Sequence, residues 1–519
     1  MKTLSCTISG KEFVVSDEEL ALLRDFDLPL PSIAPIERWI GMTAQSMPFQ
    51  LSRETCPVTK KPILSRWSPT GVIHGADADW FWSDDCDNRD AGQPYDFKRP
   101  FFDQLIEVAD RSFAPAINRI NCEDSPYVNA CVGLNRCHLC FACENLQDSV
   151  YCALCYSSTD LLLCVGCQDS ELSYHCIDCR EVYGSRFLQD CINCANCYWC
   201  VDCIGCSNCF ACAGLRQARD GYFIRNEKVS KEEWEQTISE LTFGSYNAEL
   251  RATEEAELFL SDQRDYTTNL HNENCSAIDH VHNSKNLHTA LHVTNCEDCK
   301  DLILSTNARN CFSSMWIHNS ERAYMVAGAV NAYDCLFCDG AVGDAQNHTY
   351  NFCGYNGCAH LFGCFFLKKQ SYCILNRQYK PGEYRELVPR ILAHMKSTGE
   401  WGQWFPSKLY GAPFRESWSA FAFGDLNDQE IEQRGLLNFS FSDQRTISEG
   451  ITLPDHINDF EEELCQQEIC CEVSGKPFGV GRKELSAFTK HKAPVMRKHW
   501  SVLLTELQHT SMLEGLAKI

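Results

Sequence analysis

Cysteine is the residue type whose number and spacing in this chain could do chemistry. The chain has 35 cysteines in 519 residues, and 19 of them lie between Cys122 and Cys212. All 19 fall on one series that advances in steps of three residues, and the other positions of that series are Ser, Val or Leu. Thiols in such a pattern can be metal ligands, disulfide partners or small apolar core residues.

Metal binding is one interpretation, because a longer period lies on top of the first. Pairs of the form Cys-x-x-Cys recur every twelve residues, and two stacked pairs would supply four sulfurs for a tetrahedral zinc ion with Zn–S bonds of about 2.3 Å. The candidate zinc ligands are Cys140, Cys143, Cys152, Cys155, Cys164, Cys167, Cys176, Cys179, Cys200 and Cys203.

Two other interpretations compete with zinc. Disulfides across a core would need Cβ atoms about 3.8 Å apart and an oxidant. Core filling needs neither, since a buried cysteine behaves as a small hydrophobe. From Cys275 to Ala341 the same three-residue series holds mostly Ala, Ser, Val, Ile and Leu, so the pattern does not require thiols. The sequence favours core filling, with zinc binding or thiol redox chemistry as the alternative.

A repeat of three residues excludes the usual elements as the support for these thiols. A helix repeats at 3.6 residues and a flat strand at 2. Twelve residues with four inward positions indicate a narrow β-solenoid in which each turn stacks on the next at about 4.8 Å. The residue before an inward position is often Asn, Asp or Gly, as tight or left-handed corners require. The layout resembles the β-helix of insect antifreeze proteins, but the ice-binding Thr-x-Thr ladder is missing.

Outward residues of the first solenoid form columns as well, and one outer face is apolar. Its candidate interaction residues are Tyr151, Leu163, Phe187 and Trp199. An apolar face of this size must be covered. We expect a helix or the second solenoid to pack there, with a partner protein as the alternative.

The fold class predicted is mainly β, with two tandem narrow β-solenoids of about twelve residues per turn, α-helical caps and small α+β terminal modules. The helix before the first solenoid is expected to cap its open first turn. The predicted domains are a small N-terminal module (1–55), a degenerate zinc-ribbon-like segment (56–96), a cap helix (97–120), a Cys-rich β-solenoid with its closing cap (121–229), a helical linker (230–271), a second β-solenoid with its closing cap (272–380), a helix with an acidic and aromatic wrap (381–465) and a C-terminal copy of the N-terminal module (466–519).

Two smaller patterns support these boundaries. The offsets of Cys6, Gly10, Phe13 and Leu20 return near the C-terminus, which predicts one short module used twice. In 56–96, Cys56 and Cys86 each lack the partner cysteine of a zinc knuckle, because Thr59 and Ser83 stand in those places. Structural zinc needs four ligands, so zinc is not favoured in this segment.

Composition excludes several functions. A net charge of −24 argues against binding nucleic acid or an anionic membrane surface. No apolar run is long enough to span a membrane, and the start of the chain lacks a secretory signal. We therefore expect a cytoplasmic protein with reduced thiols. The sequence shows no P-loop, dinucleotide fingerprint, nucleophile elbow or His-Glu-x-x-His motif, so an enzyme is not favoured.

Several segments together resemble an uncharacterised family of Cys-rich bacterial proteins that is abundant in candidate-phylum genomes. The matching segments are Cys6–Trp39, Cys56–Cys86, Arg99-Pro100-Phe101-Phe102, 205–216, 372–379 and Trp404-Phe405-Pro406. The resemblance covers nearly the whole chain, although members usually keep all four cysteines of the ribbon. It implies no established activity. Some members carry an acyl-CoA-transferase label, and no residues here support that activity.

The function predicted from the sequence is that of a non-enzymatic structural or interaction protein. It would present β-solenoid faces to a protein partner or, as a homo-oligomer, to itself. The alternative is a zinc-binding or thiol-redox protein that uses the stacked Cys-x-x-Cys columns.

Overall fold

The structure is a computed structural model, and it describes residues 1–25, 27–45, 51–68, 70–261, 304–305, 313–314, 316–317, 325–326, 332–333, 340–342, 345–355, 357–424, 426–439 and 451–507. The start of the predicted second solenoid, 272–303, lies outside these residues. The chain divides into two compact units. Unit one comprises Met1–Ala116, Asn269–Ser440 and Gly515–Ile519, and unit two comprises Ile117–Thr268 and Phe441–Glu514.

The helices are, in chain order, α1 Asp17–Asp25, α2 Pro35–Thr43, α3 Ala78–Trp82, α4 Phe101–Arg111, α5 Lys231–Glu240, α6 Tyr246–Leu260, α7 Pro381–Thr398, α8 Trp418–Phe423, α9 Asp428–Gln433 and α10 Arg482–Lys490. Residues 500–507 are also helical. In the described part of the chain, none of the helices is long and apolar enough to cross a membrane.

The strands up to the second cysteine-rich stretch are β1 Lys2–Ser5, β2 Glu12–Val15, β3 Ser52–Thr55, β4 Pro62–Ser65, β5 His74–Ala76, β6 Phe113–Pro115, β7 Arg119–Ile120, β8 Val128–Asn129, β9 Cys131–Val132, β10 Cys140–Phe141, β11 Val150–Ala153, β12 Thr159–Val165, β13 Glu171–Tyr174, β14 Arg186–Gln189, β15 Ala195–Val201, β16 Ser207–Phe210, β17 Tyr222–Ile224 and β18 Glu227–Val229. The remaining strands are β19 Leu304–Ser305, β20 Ser313–Ser314, β21 Trp316–Ile317, β22 Met325–Val326, β23 Ala332–Tyr333, β24 Gly340–Val342, β25 Ala345–Thr349, β26 Phe352–Tyr355, β27 Ala359–Phe362, β28 Ser371–Ile374, β29 Arg377–Gln378, β30 Ile469–Cys470 and β31 Pro477–Phe478.

A ten-stranded sheet dominates unit two, with β8, β10 to β16, β17 and β18 in sequence order. The pairs from β8 to β16 are parallel and join residues twelve apart, such as Cys152 with Cys164. Further bridges twelve residues apart follow two other lines, one from Glu123 and one from Val132. The predicted twelve-residue register is therefore confirmed for this stretch. Helices take at least as large a share of the chain as strands, so the mainly-β prediction holds only in part.

The predicted corners are confirmed by the backbone. From 130 to 217, every third residue has a positive φ. Asn, Asp and Gly fill many of these positions, as expected, but bulky residues such as Leu139, Tyr151 and Trp199 also adopt φ near +50° there. The chain thus repeats two extended residues and one left-handed residue, which turns every third side chain to the same side.

The second stretch, in unit one, changes its register part-way. Pairs such as Leu304 with Trp316 are twelve residues apart, whereas Gln346 pairs with Ala359, thirteen residues on. Ala332 also pairs thirteen residues on, with Ala345, whereas Gly340 pairs with Phe352, twelve residues on. The register shifts again between Gly340 and Ala341, so the strict twelve-residue register of unit two is not kept here.

The closing segments of the two stretches each contain the same type of side-chain hydrogen bond to the backbone. The Asn226 amide accepts a hydrogen bond from the Ala213 N–H and donates one to the Ala213 carbonyl, each at 2.9 Å. Asn376 makes the same pair of bonds to Phe365, at 2.7 and 3.1 Å. Both asparagines have a positive φ. This match supports the two closing caps that the sequence predicts.

Helix α4 packs within unit one. The Phe101 ring lies 5.6 Å from that of Phe362 and against Gly363, where an added Cβ would stand 3.0 Å from the Phe101 ring. The Phe101 and Phe102 N–H groups donate to the buried Glu400 carboxylate at 2.9 and 2.8 Å. A carboxylate at this end stabilises a helix through its unpaired N–H groups and its dipole.

Candidate functional site

Most of the cysteine core in unit two lies in two stacked columns. We call Cys131, Cys143, Cys155, Cys167, Cys179, Cys191 and Cys203 the long column. We call Cys140, Cys152, Cys164, Cys176, Cys200 and Cys212 the interrupted column, because Leu188 takes one place in it. All of these side chains are at most 2% exposed. The structure brings all ten sequence-predicted ligands together in these two columns, five in each.

Each of these thiols is directed at the backbone. The Cys167 Sγ lies 3.8 Å from the Val165 carbonyl oxygen and 3.4 Å from the Cys176 carbonyl oxygen. The Cys176 oxygen also accepts the Val165 N–H at 2.9 Å. The carbonyl groups around the core therefore have backbone partners already, and the S–H bonds are additional.

Burial raises the pKa of Cys155, Cys179 and Cys191 well above the usual value for a thiol, because a thiolate would lose its hydration there. Hydrogen bonds from the Cys155 and Cys164 thiols instead lower the pKa of Cys167 well below that value. A buried protonated thiol is a poor nucleophile and a poor metal ligand. This state fits core filling.

The described residues contain no group of three or more His, Cys, Asp or Glu side chains that could hold one metal ion. The core as it stands therefore offers zinc no tetrahedral cage. Zinc at the ten predicted cysteines stays a prediction for elemental analysis to test.

The prediction of zinc ligands from Cys-x-x-Cys pairs misses one feature of the core. Two successive turns have cysteine at all four inward positions, and only Cys200 and Cys203 of these eight are among the predicted ligands. The eight are Cys191, Cys194, Cys197, Cys200, Cys203, Cys206, Cys209 and Cys212, all buried. The signal in the sequence is the unbroken run of eight cysteines at three-residue spacing.

The predicted interaction face is largely covered inside unit two. Tyr151, Leu163 and Trp199 are 0, 3 and 3% exposed, and Phe187 is half-buried and stacks on Trp199 at 4.4 Å. The cover is helix α6, whose Ala252, Ala256 and Leu260 pack against Trp199. Small residues at a four-residue spacing let the helix axis approach the sheet closely.

The C-terminal segment covers the other end of the same face. The Tyr151 hydroxyl donates to the buried Glu484 carboxylate of α10. The Trp500 ring stacks on Phe141 with centroids 5.2 Å apart and planes 10° apart. Of the two explanations for the apolar face, cover by the protein's own helices is the one these contacts match.

Three hairpins carry one cysteine arrangement, whereas the sequence interpretation recognised two modules. They are β1–β2, β3–β4 and β30–β31, with Cys6, Cys56 and Cys471 at the turn. Each Sγ accepts a backbone N–H from the residue three positions on, at 3.3 to 3.5 Å. The shared signal is Cys, then Ser or Thr at +3 and Lys at +5.

A second N–H reaches two of these sulfurs from a distant segment. Ala34 N donates to Cys6 Sγ at 3.4 Å, and Asp77 N donates to Cys56 Sγ at 3.3 Å. Burial by itself raises the pKa of these thiols, but the hydrogen bonds outweigh it and lower the pKa of Cys6, Cys56 and Cys471 below the usual value.

The segment around Cys56 also contains Cys86 and His74, but the described residues show no group of three metal-ligating side chains here. Burial raises the pKa of the Cys86 thiol to about 11, although Lys368 opposes the shift. His74 lies on the surface, with Nε2 3.6 Å from the Asp110 carboxylate. The structure therefore gives no new support for a zinc site in this segment.

Comparison with known proteins gives no relative: no family model, no curated protein and no solved structure matches this chain.

Proposed function

We propose that this chain is a non-enzymatic structural or interaction protein. Its two cysteine-rich stretches would be narrow β-solenoids that present fixed columns of side chains to a protein partner or to a second copy. The observation that carries the proposal is the twelve-residue register along unit two. It fixes side chains at a spacing of about 4.8 Å along a rigid surface.

The side of the register away from the covered face supports such a surface. Tyr183 is 52% exposed and Val132 is 38% exposed, although both are large apolar residues. Glu171 and Glu181 nearby are exposed as well. Aromatic side chains on a rigid support are typical of interfaces, because they bury much area at a small entropy cost.

Two matched variants test this role. Tyr183→Glu changes the exposed side of the register, whereas Leu258→Glu changes a residue of α6 that is 79% exposed. Sedimentation velocity of the full chain tests self-association, and affinity purification with both variants as baits tests a partner. We expect an association that Tyr183→Glu weakens at least tenfold and Leu258→Glu leaves unchanged. A chain that is monomeric and retains nothing that distinguishes the two baits would contradict the proposal.

The alternative function, zinc binding or thiol redox chemistry, is favoured by one observation, the unbroken long column. Elemental mass spectrometry of the purified full chain separates the two functions. Several zinc ions per chain, released together with free thiols by a chelator, would support the alternative. Absence of zinc, with 35 titratable thiols after denaturation, supports core filling.

Membership of the Cys-rich candidate-phylum family and a cytoplasmic location are also proposals. The shared closing contact of Asn226 and Asn376 supports a duplicated architecture, which family members should keep. An alignment in which these asparagines vary freely would contradict the first proposal. Cell fractionation tests the second.

A further inference from the structure

The long column places seven metal-ligating side chains in one line in unit two, and its geometry suits an ion other than zinc. Its seven cysteines succeed one another every twelve residues, so neighbouring sulfurs are separated by one turn. Strands pair at about 4.8 Å, which sets the order of that separation. Two metal–thiolate bonds of about 2.3 Å in a line would span about 4.6 Å. The sulfur separation that one linearly held ion needs is therefore of the same order as the strand spacing.

A two-coordinate ion needs only two stacked sulfurs, whereas the described residues contain no group of three or more side chains that could hold one ion. Thiolates are soft ligands and select Cu(I) among the common metals. The column thus combines the ligand type and the ligand number that such an ion takes.

Charge separates a monovalent ion from zinc in this core. Each bound ion M⁺ would replace one thiol proton, R–SH + M⁺ → R–S–M + H⁺, so the buried column stays neutral. Four thiolates around Zn²⁺ would leave two negative charges among side chains that are almost fully buried. Uncompensated buried charge is costly.

Loss of the thiol protons leaves the backbone satisfied. The Cys176 carbonyl oxygen would lose the Cys167 S–H but keep the Val165 N–H at 2.9 Å. The Cys212 carbonyl oxygen would likewise lose the Cys203 S–H but keep the Val201 N–H at 2.9 Å. Metal loading therefore breaks only the weaker of the two hydrogen bonds at each carbonyl.

We propose that the two cysteine columns bind monovalent thiophilic cations such as Cu(I), each held in a line between two stacked sulfurs. This site goes beyond the proposed scaffold role and does not depend on it, since it uses only the stacking register of the core. Outside these two columns, the last two turns add two more stacked pairs, Cys194 with Cys206 and Cys197 with Cys209, which are further positions of the same kind.

The test is a Cu(I) titration of the full chain under anaerobic, reducing conditions. The chain is refolded from denaturant in the presence of Cu(I), so that burial does not prevent entry, and the retained copper is measured against a chromophoric chelator. We expect several ions per chain, and X-ray absorption should show two sulfur neighbours for each ion.

Two variants should change the number of bound copper ions in opposite directions. Leu188→Cys would complete the interrupted column between Cys176 and Cys200 and should add two ions. Cys167→Ser would interrupt the long column and should remove two. Cys471→Ser lies at a hairpin turn outside the columns and should leave the number unchanged. Circular dichroism checks that each variant folds.

Three results would overturn the inference. One is a chain that retains no Cu(I) against the chelator. Another is three or four sulfur neighbours per ion. The third is an unchanged copper number in a folded Leu188→Cys or Cys167→Ser protein.

Discussion

Single residues at the corners carry backbone strain in this chain. A left-handed conformation costs a residue other than glycine about 1–2 kcal/mol. Tyr151, Phe187 and Trp199 nevertheless adopt it, with φ of 56, 53 and 49°. These rings are held under α6 and the C-terminal segment, so burial of aromatic surface offsets the strain. At exposed corners nothing comparable offsets it.

Glu181 is such an exposed corner, with φ of 51°. We expect Glu181→Gly to raise the free energy of unfolding by about 0.5–1 kcal/mol, because glycine adopts this conformation without strain. Urea unfolding monitored by circular dichroism measures the change. The matched control is Arg180→Gly, at an extended position, which should lower stability by about the same amount. Equal losses in both variants would show that the corner is misplaced.

Helices α4 and α6 each contact neighbouring segments through one buried carboxylate. Glu400 receives two N–H groups at the start of α4 and is 8% exposed. Glu249 of α6 accepts the Tyr174 hydroxyl at 2.9 Å. The two carboxylates have opposite effects on stability. The charge of Glu400 balances the partial positive charge at a helix N-terminus, whereas the charge of Glu249 is not fully balanced by an opposite charge.

Removing the charge of Glu400 tests the first of these. Glu400→Gln should lower the free energy of unfolding by about 1–2 kcal/mol, since the helix N-terminus loses its anion. Thermal unfolding of the full chain measures it. Glu386→Gln, exposed on α7, is the control and should change stability little. A larger effect at Glu386 would contradict the capping role.

Glu249 predicts a dependence on pH. Burial raises the pKa of its carboxyl to about 7 from the usual value of 4.5. The folded state thus holds the proton more tightly than the unfolded state, so this group lowers stability as pH rises from about 4.5 to about 7. Glu249→Gln should remove that loss. The variant's advantage in urea unfolding should therefore grow over this range and stay constant above it, and a constant difference from pH 4 to 8 would contradict the prediction.

Features of this molecule that depend on local interactions could be predicted from the sequence, whereas contacts between distant residues could not. The twelve-residue register and the corners at Asn145 and Asp169 were predictable, because both are local repeats in the chain. The partner of α4 was not, since its apolar stripe shows that the helix is covered without showing that Phe101 meets Phe362. The sequence places this helix on the first solenoid, whereas its described contacts lie in unit one.

The candidate site also has features that the sequence predicts and features that it does not. The columns from Cys131 to Cys212 follow from spacing alone. The third hairpin, at Cys56, is hidden because its residue at +4 is Lys60 where the other two hairpins have glycine, although Lys60 takes the same positive φ as Gly10 and Gly475. The second N–H donors, Ala34 and Asp77, lie 28 and 21 residues from their sulfurs and are not part of any local pattern.

The central claim for the whole molecule is that the cysteine columns point into a packed core. Alkylation of the native full chain, mapped by mass spectrometry over time, tests it most directly. Cys470 is exposed, and Cys122 and Cys465 are partly exposed. Among the cysteines that the structure describes, these three should react first, whereas Cys155, Cys167 and Cys179 should react only as fast as the protein unfolds. If Cys167 reacts as fast as Cys470 in the folded protein, the inward register is wrong.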